Sequence, residues 1–265
     1  MLKKIISLSS LLLLLFVSTG CPAQQKLPTP DSLGLVDYPA KGWRIFSVPT
    51  EGDAPGSIFA IKDGAIQPVD DATAQVNATT SKIALPTAKS VRNYGARLNA
   101  FGTFITSGLP VEAGFEADGT RRVAIELTVE GAIKEQVTRT QLNAAIQEYV
   151  NTFGDSLLNR DGETFYVIQS AISATQITFK FSDVDVTRFN LESRLAALAN
   201  ADTNLTFQKN DGFELIRKFD KPMRMFYQPA IINLLPALSG NPKVTLNEVP
   251  AESLLNVQPS DGALH

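Results

Sequence analysis

The side chains best suited to chemistry are scarce in this chain. It has one cysteine, Cys21, and one histidine, His265, which is the final residue. A terminal imidazole is solvated rather than held, so neither a Ser-His-Asp nor a Cys-His mechanism has the positioned base it needs. Zinc sites built from His and Cys are excluded for the same reason. The phosphate loops G-x-x-x-x-G-K-[ST] and G-x-G-x-x-G are missing, as are G-x-S-x-G and Ser-x-x-Lys. Carboxylates remain. Asp183 and Asp185 stand two apart, so on a strand they point the same way and could help hold calcium or act as acid and base. The alternating acids of a calcium loop, closed by Gly and Glu, are lacking, and the pair reads as a solvated strand end. Asp70-Asp71 reads the same way, in a polar loop. Trp43, Phe46 and Phe59 could line a ligand pocket, but aromatics in strands more often fill a core. The expectation is a protein with no catalytic residue, no metal and no cofactor, and therefore not an enzyme.

Cys21 is the exception, because of what precedes it. Met1–Lys4 carry two positive charges, Ile5–Val17 is apolar, and the small residues Ser18, Thr19 and Gly20 lead to the cysteine. That order is an export signal. A transmembrane helix needs roughly 20 apolar residues, and this run is shorter and contains Ser7, Ser9 and Ser10. The stretch Val17-Ser18-Thr19-Gly20-Cys21 resembles the lipobox of bacterial lipoproteins, with Ser18 where that family usually has an aliphatic residue. The resemblance implies cleavage before Cys21 and attachment of lipid to it; ordinary cleavage after Ala23, giving a soluble secreted or periplasmic protein, is the alternative. In a Gram-negative host the residue after the cysteine, Pro22 rather than Asp, implies the outer membrane. The membrane would then be a partner through the lipid, each buried methylene adding about 0.8 kcal/mol. With no second cysteine, an intramolecular disulfide is impossible.

The chain has 24 basic and 27 acidic residues, a formal charge of −3, and loss of Lys3 and Lys4 with the signal makes it more acidic. Without a basic block it is a poor ligand for nucleic acid or, by charge alone, for anionic lipid. Residues 21–39 contain Pro28, Pro30 and Gly34 and read as a lipidated tether. The body, residues 40–235, is punctuated by Asp-Gly pairs at 63, 118, 161 and 211, with a further one at 261. Between alternating segments such pairs signal hairpins. Alternation is clear in Val123–Val129 and Gln176–Ser182, and further strands are expected at Trp43–Val48, Ile58–Lys62, Phe165–Ile172, Leu205–Lys209, Phe213–Phe219 and Met223–Tyr227. Leu142, Ala145, Ile146, Tyr149, Val150, Phe153 and Leu157 recur at helical spacing and predict an amphipathic helix over about 139–159, with Thr138 and Gln141 as its capping box. A shorter helix is expected over about 190–200, with Asn190 as its cap and Leu191, Leu195 and Leu198 facing inward. Ser90–Thr106 fits either a helix or a strand. The fold class is α+β, mainly antiparallel sheet. Residues 236–265, with four prolines, read as an irregular tail.

The order of these features from about residue 94 to 235 resembles the pore-forming domain of bacterial gasdermins. The matching parts are RRVAIELTVEGAIKEQV (Arg121–Val137), the helix after it, TFYVIQSAISATQITFKF (Thr164–Phe181) and LTFQKNDGFELIRKFDKPMRMFYQPAIINL (Leu205–Leu234). The resemblance implies that Val123, Ile125, Leu127 and Val129 form the lipid face of a membrane-inserting strand, which needs about 9–11 residues. Glu126, Glu130 and Glu135 would face a water-filled lumen, and the chain would act as an oligomer. Two features depart from the family: its members are not normally exported, and no protease-cleaved inhibitory domain is evident. Two non-enzymatic readings follow. One is a lipid-anchored envelope protein with a binding or assembly role toward another envelope protein; the alternative is a gasdermin-like pore former.

Overall fold

The computed structural model describes residues 38, 40, 42–62, 65–71, 76–93, 122–155, 158, 160, 163–182, 191–236, 240–249 and 258–259. Their order is β1 (Arg44–Thr50), β2 (Ser57–Lys62), β3 (Ala65–Asp71), β4 (Thr79–Lys82), β5 (Ala88–Asn93), β6 (Arg122–Glu130), β7 (Ile133–Gln136) and α1 (Arg139–Phe153). Then come β8 (Thr164–Ser182), α2 (Leu191–Ala201), β9 (Leu205–Lys209), β10 (Phe213–Leu235), β11 (Lys243–Glu248) and β12 (Gln258–Pro259). All the strands join one sheet, antiparallel except where β12 meets β3. The α+β class with a dominant antiparallel sheet is what the alternation predicted.

Two strands form its spine. Phe165–Ile172 and Gln176–Ser182, expected as separate strands, are one strand of 19 residues, and Phe213–Phe219 and Met223–Tyr227 merge into one of 23. β8 contains no proline, and in β10 each proline sits where the ladder slips. Phe219–Pro222 lie between the pairs Lys218↔Gln176 and Met223↔Ala174, four residues facing Thr175 alone, and Pro229 stands at another shift of register. A residue that cannot donate to the ladder is tolerated at a bulge. The segment Arg121–Val137 is interrupted at Gly131 and Ala132, yet β6 and β7 keep one register against β8, Glu130↔Gln176 and Ile133↔Ser173. Gly131 is required there. Its φ is +62°, and a Cβ on it would stand 2.2 Å from Thr175 Oγ1.

Burial divides the spine at this level. From Phe165 to Ala174 nearly every side chain of β8 is buried, so both faces are covered; from Gln176 to Ser182 buried and half-buried residues alternate strictly. Two main cores result. One gathers Ile58, Phe165, Val167, Ala230 and Ile232 of the sheet with Leu142, Ile146, Tyr149 and Val150 of α1. The other holds the alternating half of the sheet with Leu195 and Leu198 of α2 and the rings of Tyr38 and Trp43.

Thr138 caps α1 as expected: its side chain accepts from Gln141 N, and the Gln141 side chain accepts from Thr138 N. The helix ends at Phe153 rather than near 159, since Gly154 turns out at φ +80° while its N–H still reaches Val150 O at 2.8 Å. Phe153 was expected on the buried stripe but is 59% exposed, its ring against Tyr149; Leu158 is the buried residue beyond the turn.

Several other expectations are corrected. Asp70 and Asp71 belong to β3, opposite Ile58 and Ser57, not to a polar loop. Tyr38, inside the stretch read as tether, is buried against Phe226. Ser90–Asn93 resolve as strand, the end of β5, while residues 94–121 lie outside the described set. Within the tail read as irregular, Lys243–Glu248 pair with Ala230–Leu235, and Val244 and Leu246 are buried in the α1 core. Pro242 and Pro250 bracket this strand and leave its interior free to alternate.

Candidate functional site

The alternating half of the sheet contains the strand singled out from sequence. β6, the end of β8, the start of β10 and β9 lie side by side and antiparallel, with β5 beyond β6. Residues opposite each other in register share a face. On the inner face the rows are Ile125–Phe181–Phe213, Leu127–Phe179–Leu215–Phe207 and Val129–Ile177–Arg217–Leu205. On the outer face they are Glu126–Lys180–Glu214–Gln208, Thr128–Thr178–Ile216–Thr206 and Glu130–Gln176–Lys218. Local alternation thus becomes a two-sided patch, one face apolar and the other polar.

Ile125, Leu127 and Val129 are buried, the second at 1% exposure, with Phe179 and Leu215 at 0% beside it. Each such side chain contributes about 1.5–3 kcal/mol when taken out of water. Val123 holds the register position opposite Arg92 of β5, and its side chain lies outside the described set. The face that would meet lipid is therefore covered by protein in this conformation.

Two ion pairs fasten the cover. Lys209 Nζ reaches Glu192 of α2 at 2.8 Å, and Arg217 Nη1 reaches Asp202, just past α2, at 3.0 Å. The second pair is nearly closed to solvent, with side-chain exposures of 9% and 11%. Burial lowers the pKa of Arg217, against the pull of the Asp202 charge and hydrogen bond. Arg217 is the one charge in the three inner rows apart from Lys209, which faces Phe213 at the patch edge.

A second polar node lies where the spine slips. Arg224 of β10 donates to Glu135 of β7 through Nε at 2.9 Å and Nη2 at 2.8 Å, and through Nη1 to the carbonyls of Glu51 and Gly52. Lys221 adds a contact to Glu51 at 3.5 Å. Glu135, which the resemblance placed on a lumen face of an inserted form, is held by Arg224 in this conformation.

Arg217, Asp202 and Arg224 were not anticipated as site residues. The signal for Arg217 was present, since it occupies an apolar position in the series Phe213, Leu215, Arg217, Phe219. Nothing in the local sequence marks its partner. Trp43 and Phe59 do not share a pocket: Trp43 is in the α2 core, whereas Phe59 stacks on Tyr166 in a separate small cluster, and half-buried Phe46 packs on Tyr227. Cys21, Asp183, Asp185 and His265 lie outside the described residues. Among the described residues no three His, Cys, Asp or Glu side chains group as a metal site, and no helix is long and apolar enough to cross a membrane, which leaves strands untouched.

No protein-family model matches the sequence, and no curated protein matches it. The fold is similar to that of a bacterial gasdermin from Bradyrhizobium tropiciagri, with a TM-score of 0.54 and 12% identity, covering 77% of this chain and 86% of that one. At that identity the likeness is one of fold: a remote, gasdermin-like architecture in which the amphipathic patch is a part.

Proposed function

We propose that the chain is a gasdermin-like pore-forming protein in its closed state, tethered to a bacterial envelope membrane through lipid on Cys21. One observation carries the reading: a patch with one continuous apolar face, buried under α2, within a fold that aligns with a bacterial gasdermin over 77% of the chain. Release of α2 would uncover the rows of Ile125 and Leu127, and the same strands would then meet lipid on one side and water on the other. The work is non-enzymatic, and the active form is an oligomer, because a single patch is too narrow to close a barrel around water. The outer membrane is the proposed location, with secretion in soluble form as the alternative.

The test is dye release from liposomes by the full chain, by the chain after limited proteolysis, and by a chain ending at Leu235. The last lacks β11, whose Val244 and Leu246 fill the core beside α1. Release by the shortened or nicked forms and not by the intact one is expected; vesicles that stay tight at high loading of all three would overturn the reading. The alternative is a binding or assembly role toward another envelope protein, for which Phe153, 59% exposed at the end of α1, is the ring to test. Loss of partner capture in Phe153→Ala, with vesicles tight throughout, would select that reading.

A further inference from the structure

The outer face of the patch carries charges in an order that the strands impose. Glu126, Lys180 and Glu214 occupy one row across β6, β8 and β10, and Lys89 of β5 holds the next register position beyond Glu126. Signs therefore alternate along the row, and Lys180 contacts Glu214 at 3.9 Å. The following row is neutral: Thr128, Thr178, Ile216 and Thr206. The row after that sets Glu130 against Lys218 across Gln176. The first charged row holds two acids and one base, the last one acid and one base, and the uncharged row separates them.

From this arrangement we infer that the Glu126–Lys180–Glu214 row is a charge belt that sets the ion selectivity of the pore, and that Lys180 is its deciding residue. The inference rests on the pore reading above and deepens it. Strands lie about 4.7–4.9 Å apart, so neighbouring charges of one row fall within a single Debye length of about 8 Å at physiological ionic strength. A passing ion therefore responds to the sum of the row rather than to one member. With two acids and one base the sum is −1, and the belt favours small cations weakly. Rings of one sign, by contrast, select. Lys180 decides the balance because it is flanked on both sides by carboxylates, Glu126 and Glu214. Reversing its charge makes three successive strands acidic.

The experiment is the reversal potential of planar bilayers under a potassium chloride gradient, with the full chain added before and after limited proteolysis. Wild type is expected to give a potassium-to-chloride permeability ratio modestly above one. In Lys180→Glu the ratio should rise by at least about threefold, and in Glu214→Lys it should fall below one. Lys180→Gln, a milder change, should move the ratio in the same direction as Lys180→Glu and guards against misfolding of the charge reversal. Lys221→Glu, on the bulge outside these rows, should leave the ratio unchanged. Bilayers that stay silent with wild type overturn the pore reading and this inference together. Conducting bilayers whose ratio is the same in wild type, Lys180→Glu and Glu214→Lys overturn the belt alone.

Discussion

Arg217 and Asp202 show how much can rest on two side chains. Their ion pair is buried beneath the apolar face and joins β10 to the residue after α2. Removing one member of such a pair strands a charge away from water, a loss of about 3–5 kcal/mol. Asp202→Ala should therefore lower stability by about 3 kcal/mol, read as a shift in the urea midpoint. The double variant Arg217→Met/Asp202→Ala, which leaves no charge behind, should be far milder than Asp202→Ala alone, and a double variant as unstable as the single one would contradict a buried-charge origin. The tyrosines offer a second test. Burial raises the phenols of Tyr38 and Tyr227 from their ordinary value of 10.0 to about 12. Folding thus favours their protonated forms. The stability this contributes is complete below pH 10 and is lost as the pH rises toward 12. Alkaline titration followed near 295 nm should show these phenols ionising late and together with unfolding. Ordinary titration near pH 10 with the fold intact would contradict it.

At the scale of elements, local rules did well where they were complete. Thr138 and Gln141 announced the start of α1, and the capping box is present. Thr138→Ala should cost about 1 kcal/mol, measured by thermal or urea unfolding; an unchanged midpoint would mean that α1 is held by packing alone. The end of α1 was misread because apolar spacing continues to Leu157, while Gly154 ends the helix by backbone conformation. Proline was over-read in the tail, where it flanks β11 without entering it, and inside β10 it sits at register slips. A proline penalises a strand only where its missing N–H was needed, and that depends on the neighbouring strand.

For the whole molecule, attachment and insertion are separate questions with separate tests. Cys21→Ser should release the protein from membrane fractions and abolish lipid labelling, while dye release from added liposomes by the nicked protein should persist. Unchanged fractionation of Cys21→Ser would refute the anchor and leave the pore reading intact. Covering the apolar face has a physical logic of its own. An exposed apolar patch invites association, and here α2, Tyr38 and Trp43 share the core formed by that face.

The sequence by itself determined the α+β class, the Asp211-Gly212 turn between β9 and β10, the capped helix and the alternation along β6. All of these are written in residues that are neighbours or lie a few positions apart, so their signals are local. Only the tertiary structure decided what those elements do to one another. The register that aligns Glu126, Lys180 and Glu214 spans 88 positions of chain from first to last. The pairing of Arg217 with Asp202 and the seating of β11 beside α1 likewise depend on the global fold. Alternation says that a strand has two faces. Which face is covered, by what, and in step with which neighbours follows from packing of distant segments, and that information no local pattern contains.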